Sequence, residues 1–222
     1  MKEIVLDTET TGLSVQAGHR IVEIGCIELE NQIPTNNKFH YYLNPERKVS
    51  AEAFNIHGYS NEFLSKQKLF KEIAKDFLNF IHNKKLIIHN ANFDLSFLNH
   101  ELRMCNLETI NEKLVIDTLE LARVKFPGSQ VNLDALCKKY KIDNSKRTKH
   151  NALIDCELLL NVYVNLIDQK EPKLNFIKNE DISSKCDTKN NKYYSKKVVS
   201  ISDNEITLHK KFLAKELKKN FF

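Results

Sequence analysis

The sequence has no C-x-x-C pair and no long apolar run, and both absences exclude classes of protein. Its five cysteines are odd in number and lie singly along the chain, which favours reduced thiols in the cytosol over disulfides or a structural zinc site. The apolar segment before Asp7 is too short for the core of a signal peptide. No apolar stretch approaches the roughly 18 residues that a membrane span needs. We therefore expect a cytoplasmic protein without a membrane segment.

Most of the chain has no excess of positive or negative charge. Residues 168–222 hold 13 of the 34 Lys/Arg and 8 of the 29 Asp/Glu, and the other residues hold 21 of each. The formal net charge of +5 therefore comes entirely from the last quarter. Because contacts with phosphates supply much of the affinity for nucleic acid, the preceding part should bind nucleic acid weakly without a partner.

The order of apolar segments predicts an α/β domain over residues 1–167. Apolar and β-branched runs predict strands, and apolar residues at helical spacing predict helices. Strands first, and then strands that alternate with helices, indicate a mixed sheet with helices on both faces. The predicted strands are 3–7, 20–29, 38–43, 85–89 and 114–118, and the predicted helices are 68–82, 94–104, 118–125, 132–140 and 151–167.

The composition changes after residue 167. Residues 168–192 are polar with little periodicity, which is typical of a flexible linker. Residues 196–202 are predicted as a strand and residues 203–219 as a helix with Asp203 as its N-cap. Because this last piece is too small for a core of its own, residues 193–222 are predicted to be a segment that docks on another protein.

Four carboxylates and one histidine stand out for their chemistry. Asp7 and Glu9 are two apart on a strand, so their side chains share a face; Asp94 follows a strand at the start of a helix. His150 and Asp155 are five apart, which on a helix would separate them by about 140°. His150 should therefore lie on the loop before the helix that carries Asp155. Together these residues have the donors for two Mg²⁺ or Mn²⁺ ions and a base, which is the equipment for cutting a phosphodiester.

Each of these signals has an ordinary structural interpretation when it is taken alone. Asp7 and Glu9 are compatible with an acidic strand-to-turn junction, and Asp94 with a carboxylate that interacts with a helix dipole. A single histidine such as His150 is most often just solvated. The occurrence of all five in this order is what favours a site.

The motifs around these residues resemble one family. The chain resembles the DnaQ-like DEDDh 3′→5′ exonucleases over about residues 3–167, and among them the epsilon (proofreading) subunits of bacterial DNA polymerase III. This resemblance implies an RNase H-like fold with a mixed five-stranded sheet flanked by helices, two Mg²⁺ or Mn²⁺ ions, and release of 5′-mononucleotides from DNA 3′ ends. The motifs are DTETTG, VEIGCIEL, AEAFNIHG, HNANFD and FPGSQVNLDALCKKYKIDNSKRTKHNALIDCELL.

The resemblance also assigns roles to residues. It implies that Asp7, Glu9 and Asp155 bind metal directly, that Asp94 serves the second ion, and that His150 is the general base. The residues that it implies for the terminal nucleotide are Asp7, Glu9, Thr10, Glu52, His57, Phe93 and Asp155. One departure is Asn151, which follows the histidine where the family usually has glycine and is expected to alter the mobility of this loop.

The tail resembles the family more weakly. Residues 171–176 resemble a sliding-clamp motif, although a plain linker explains them equally well. Residues 193–222 resemble the flexible tail that tethers epsilon to the polymerase alpha subunit, and a small accessory subunit is a further partner of the family. Two alternatives stay open: a DEDDh exoribonuclease that acts on RNA ends, and a catalytically silent scaffold that binds polymerase.

Overall fold

A five-stranded mixed sheet runs through the predicted domain 1–167, as expected. The computed structural model describes residues 2–145, 147, 149–167 and 202–216. The strands lie in the order β3-β2-β1-β4-β5. β2 pairs antiparallel with β1 and β3, and β4 pairs parallel with β1 and β5. The strands are β1 (Lys2–Thr10), β2 (Ile21–Glu30), β3 (Ile33–Tyr42), β4 (Lys85–Ile88) and β5 (Val115–Asp117).

Eight α-helices are described. Those predicted within the domain are confirmed to within a few residues, and the largest difference is α4, which begins three residues before the predicted 94. Among the described residues, no helix is both long and apolar enough to cross a membrane. The helices are α1 (Ala51–His57), α2 (Asn61–Ser65), α3 (Phe70–Ile81), α4 (Ala91–Met104), α5 (Thr118–Lys125), α6 (Leu133–Tyr140), α7 (Ala152–Leu166) and α8 (Asp203–Glu216).

Helices α1 and α2 were not predicted from the sequence. They have seven and five residues and bury only three side chains between them, so they show too little periodicity for a pattern search. Ser50 and Ser60 cap their first turns, accepting hydrogen bonds from the N–H groups of Ala53 and Phe63. Local capping rather than an apolar stripe therefore marks these helices.

The alternation of side chains along β1 divides the core between the two faces of the sheet. Ile4 and Leu6 point into one cluster with the aromatic residues of α3 and α4. Val5 points into the other, which contains the apolar side chains of α6 and α7. Both faces of β1 are thereby buried, and its carboxyl end is held rigidly in the middle of the sheet.

Helix α7 approaches β2 closely at Gly25. A Cβ atom at Gly25 would lie 2.6 Å from the carbonyl carbon of Ala152 and 2.8 Å from the amide nitrogen of Leu153. Cys156, one turn further on, donates to the carbonyl oxygen of Gly25 at 3.2 Å. Because Gly25 pairs with Asp7, this contact fixes the first turn of α7 beside the carboxyl end of β1.

The chain divides into two units, 1–174 and 175–222. In the second unit, helix α8 begins at the predicted residue, but Asp203 is not its N-cap. Ser202 is the cap, because its hydroxyl accepts from Glu205 N–H and the Glu205 carboxylate accepts from Ser202 N–H, which is a capping box. Residues 168–201, which include the predicted linker, the clamp-like motif and all but the last residue of the predicted strand 196–202, lie outside the described residues.

Substitution of Gly25 tests the contact between α7 and β2. Gly25→Ala should lower the free energy of unfolding by about 1–3 kcal/mol, because the added methyl group would overlap the backbone of α7 and force it to shift. Urea unfolding followed by circular dichroism measures this change. A variant as stable as the wild type would show that α7 does not rest on Gly25.

Candidate active site

The five predicted residues line one cleft of about 490 Å³ at the carboxyl ends of β1 and β4. They lie on three separate segments of the sequence, and the fold brings these segments together. The lining residues are Asp7, Thr8, Glu9, Ile56, His89, Asn90, Phe93, Asp94, Asn132, Leu133, Asp134, Arg147, His150 and Asp155.

Asp7 and Glu9 project from the same face of β1, as their spacing predicts. Burial, followed by repulsion from Asp94 and Glu9, raises the pKa of Asp7 well above its usual value. Burial, followed by repulsion from Asp155, raises the pKa of Glu9 to about 8. The two carboxylates are thus held close to other negative charge at a cost in free energy, which a bound cation would relieve.

Asp94 reaches the cleft because the chain turns sharply after β4. Asn90 adopts a left-handed conformation with φ 67°, and the N–H groups of Asn90 and Ala91 both donate to the Asp117 carboxylate at 3.0 Å. Asp94 then falls in the first turn of α4 and accepts a 2.6 Å hydrogen bond from Thr8. Burial raises the pKa of Asp94 to about 7 although that hydrogen bond opposes it.

His150 lies on the loop before α7, and Asp155 lies in the first turn of α7, as the five-residue spacing predicts. His150 Nδ1 is 3.4 Å from Asp155 Oδ2 and 4.0 Å from Glu9 Oε1. Burial would raise the pKa of Asp155, but the neighbouring His150 and Arg147 side chains outweigh it and hold that pKa below its usual value. His150 itself is exposed over 46% of its side chain, so solvent reaches the imidazole.

Asn151 anchors the His150 loop to the sheet. Its amide group donates to Glu23 at 2.8 Å and to the hydroxyl of Tyr59 at 2.9 Å, and its carbonyl oxygen caps α7 by accepting from Ile154 N–H at 3.0 Å. The fully buried Glu23 also accepts from Ala152 N–H at 3.0 Å. A glycine could make none of these side-chain contacts. Asn151, which stands where the family usually has glycine, therefore fixes this loop to the sheet.

Sequence reasoning missed Arg147 and Glu23. Arg147 donates to both carboxylate oxygens of Asp155, at 2.6 and 2.8 Å. Its only signal in the sequence is its place in the stretch IDNSKRTKH. Glu23 is a charged residue inside a run of buried apolar residues in β2, and such a residue in a strand is a signal for a buried polar network.

A second pocket of about 360 Å³ adjoins the cleft and contains the four remaining predicted residues, Thr10, Glu52, His57 and Phe93. Glu9 and Phe93 line both cavities. Burial lowers the pKa of His57, which favours the neutral ring. His57 Nδ1 accepts from Tyr59 N–H at 2.9 Å, and its Nε2 is buried without a hydrogen-bond partner among the described residues. Glu52 is exposed at the rim.

The donors of the cleft fit a hard divalent cation. One ligating atom from each of Glu9, His150 and Asp155 lies within 4.8 Å of the others. Asp7 and Asp94 line the same cleft and add further oxygen donors. A site with mostly carboxylate oxygens and one imidazole suits Mg²⁺ or Mn²⁺ better than zinc. The four cysteines among the described residues are free and none lines the cleft.

Comparison with known proteins identifies the family of the chain. Residues 4–163 match the exonuclease family RNase_T, and the chain belongs to this family, whose DEDDh members depend on divalent metal ions.

Within that family the chain belongs with the epsilon subunits of DNA polymerase III. It is 47% identical to DNA polymerase III subunit epsilon of Rickettsia conorii over 224 residues, which cover 98% of this chain and 97% of the relative. It is 45% identical to the same subunit of Haemophilus influenzae over 183 residues, which cover 77% and 72% of the two chains.

Solved structures confirm the expected fold. The nuclease domain of 3′hExo, a DEDDh family member bound to rAMP, has a TM-score of 0.66 at 18% identity and covers 76% of this chain and 92% of its own. Exonuclease X in complex with 5′ overhanging duplex DNA has a TM-score of 0.59 at 24% identity and covers 75% and 92%. At these identities the likeness concerns the fold alone.

The raised pKa values predict a stability that falls with pH when metal is chelated. The pKa of Glu9 is about 8 and that of Asp94 about 7, against ordinary values of 4.5 and 3.8. The folded protein therefore keeps its protons up to a higher pH than the unfolded chain does. Because the folded carboxylates ionise at a cost, the free energy of unfolding falls as the pH rises from about 4.5 to 8. Glu9→Gln, which cannot ionise, should gain stability relative to the wild type over this range, as measured by thermal unfolding in EDTA at pH 6 and pH 8.

The comparison with the wild type is essential, because the lowered pKa values of His57 and His89 have the opposite effect on stability below about pH 6.5. Glu30→Gln, which changes an exposed carboxylate on β2, is the matched control and should follow the wild type. If Glu9→Gln also followed the wild type at both pH values, the repulsion assigned to Glu9 would be wrong.

Proposed function

We propose that this protein is the 3′→5′ proofreading exonuclease of a bacterial DNA polymerase III and removes mispaired 3′-terminal nucleotides as 5′-mononucleotides. The observation that carries the proposal is the convergence of four carboxylates and one loop histidine beside a nucleotide-sized pocket. The match over 97% of the Rickettsia conorii epsilon subunit supports the same function. Such a subunit works on the chromosome, in the cytoplasm.

The carboxylates are proposed to bind the cofactor. Asp7, Glu9 and Asp155 would hold divalent cations directly, with Asp94 serving the second of two Mg²⁺ or Mn²⁺ ions. When bound, such ions lower the pKa of a water molecule and stabilise the charge on the leaving 3′-oxygen. Burial raises the pKa of Asp7, Glu9 and Asp94, and repulsion from other carboxylates of the cleft adds to it at Asp7 and Glu9. A bound cation would offset both costs, which supports this assignment.

His150 is proposed to be the general base that takes a proton from the attacking water. Its ring is solvent-accessible and lies within 4.0 Å of Glu9 and Asp155. A neutral imidazole has a ring nitrogen lone pair that can take a proton from water, which is the usual chemistry of a histidine general base. Because its neighbour Asn151 fixes the loop to Glu23 and Tyr59, the imidazole is held close to the carboxylates.

The adjoining pocket is proposed to hold the 3′-terminal nucleotide. Phe93 offers an aromatic face to a base or sugar, and His57 Nε2 and the hydroxyl of Thr10 offer polar atoms at the same cavity. Glu52 lies at its rim. Selection of mismatches then needs no reading of the base, since a mispaired end separates more readily and enters a single-strand site more often.

The C-terminal segment is proposed to bind the polymerase alpha subunit. Helix α8 exposes Ile206, Leu208 and Phe212 by 41%, 65% and 57%, and exposed apolar side chains of this size are typical of a binding face. A sliding clamp and a small accessory subunit remain further proposed partners. The positive charge of residues 168–222 would also favour proximity to DNA.

A nuclease assay tests the function. The wild type should degrade a 3′-mismatched DNA strand to 5′-mononucleotides with Mg²⁺, faster than an RNA strand of the same sequence. Asp7→Ala should reduce the rate at least about 10³-fold, because it removes a ligand of the ions on which the chemistry depends. Glu30→Ala on β2 is the control.

A preference for RNA would favour the exoribonuclease, and no Mg²⁺-dependent digestion by the wild type would favour the silent scaffold. Full activity of Asp7→Ala would remove Asp7 from the site.

Truncation tests the tether. A chain that ends at Ile167 keeps both apolar clusters and should remain an active exonuclease, but should lose at least about tenfold in affinity for alpha. Size-exclusion chromatography with purified alpha measures complex formation. An unchanged complex would place the binding face on the exonuclease domain instead.

A further inference from the structure

Arg147 lies in the middle of the cleft, and the function proposed above gives it no role. It lies between α6 and α7, with 8% of its side chain exposed. Its Nε and Nη2 atoms donate to the two oxygens of Asp155 at 2.6 and 2.8 Å. Its Nη1 atom lies 2.7 Å from Asp134 Oδ2, and its Nη2 atom lies 2.9 Å from His150 Nδ1.

These contacts engage the atoms that the reaction would need. A guanidinium group only donates hydrogen bonds, so His150 Nδ1 must accept and its lone pair is in use. The two-point contact with Asp155 occupies both oxygens of a proposed metal ligand with a planar group that fits a carboxylate closely. Arg147 is also the sole Lys or Arg among the described residues that line the cleft.

Asp134 is a second carboxylate partner for Arg147. This carboxylate lies on α6, is 56% exposed and already contacts Nη1. It also accepts a hydrogen bond from Asn144 at 3.1 Å, which holds it at the edge of the cleft. The guanidinium can therefore leave Asp155 and His150 without losing every anionic partner.

We propose that Arg147 is an internal counter-ion that competes with a divalent cation for Asp155, so that cation binding moves the guanidinium toward Asp134 and frees His150 Nδ1. The arrangement couples loading of the cation to release of the base. Arg147 is thus a positioning residue whose effect is exerted through Asp155 and His150. The inference rests on the proposed function in one respect, that Asp155 binds the cation.

Binding of Mn²⁺ to the full-length protein tests the competition. Isothermal titration should show that Arg147→Lys binds Mn²⁺ about tenfold more tightly than the wild type, because lysine keeps the charge but loses the two-point contact with Asp155. The loss of positive charge alone cannot cause this gain. The matched control Arg103→Lys, at an exposed position in the last turn of α4, should bind as the wild type does.

The position of the guanidinium has its own signal in ¹⁵N–¹H spectra. In EDTA, Arg147 Nε–H should give a slowly exchanging resonance, and Asp155→Asn should shift it. Saturating Mg²⁺ should move this resonance in the wild type and shift the His150 ring nitrogens. Wild-type Mn²⁺ affinity in Arg147→Lys, or an Arg147 resonance unchanged by Mg²⁺, would overturn the proposal.

These results separate the inference from the function. If the wild type and Asp155→Asn bind Mn²⁺ equally weakly, the metal site itself is wrong. If Asp155→Asn weakens binding but Arg147→Lys equals the wild type, the metal site stands and only the role of Arg147 fails.

Discussion

The contact between the first turn of α7 and strand β2 is the constraint on which the site depends. Gly25 lets the helix backbone approach the strand, and the buried Glu23 accepts the N–H of Ala152 at 3.0 Å. Asp155 and His150 are thereby brought to Asp7 and Glu9, which are about 140 residues away in the sequence. A side chain at Gly25 or a missing acceptor at Glu23 would move two proposed functional groups at once.

This contact brings four carboxylates together, and nearby positive groups stabilise only one of them. Burial raises the pKa of Asp7, Glu9 and Asp94, with added repulsion from the other cleft carboxylates at Asp7 and Glu9, whereas His150 and Arg147 lower that of Asp155. Four carboxylates crowded together weaken the fold unless a cation is shared among them. In the proposed function the same crowding would give the site its affinity for a hard metal ion, so stability and function would be opposed in this cleft, as is common at active sites.

The sequence predicted the parts of the site that follow from local rules. The two-residue spacing of Asp7 and Glu9 on a strand, and the loop position of His150 before the helix of Asp155, needed only the periods of strands and helices. The mixed sheet followed from the order of apolar segments. Helices α1 and α2 were missed because they are too short and exposed to show a period.

The long-range contacts could not be predicted in this way. Asn151 meets Glu23 across 128 residues, and nothing local in either segment indicates the pairing. The same holds for Arg147, whose three anionic or imidazole partners lie on a helix, a loop and a second helix. Such contacts arise only once the sheet and α7 are assembled, so motifs could point to the stretch but not to the interaction.

The central claim is that residues from β1 and α7 form one cation site. Anomalous diffraction from crystals of the full-length protein grown with Mn²⁺ measures this most directly. The account predicts Mn²⁺ bound by Asp7, Glu9 and Asp155, with the guanidinium of Arg147 displaced from Asp155. Mn²⁺ ordered elsewhere, with no anomalous peak between β1 and α7, would contradict it.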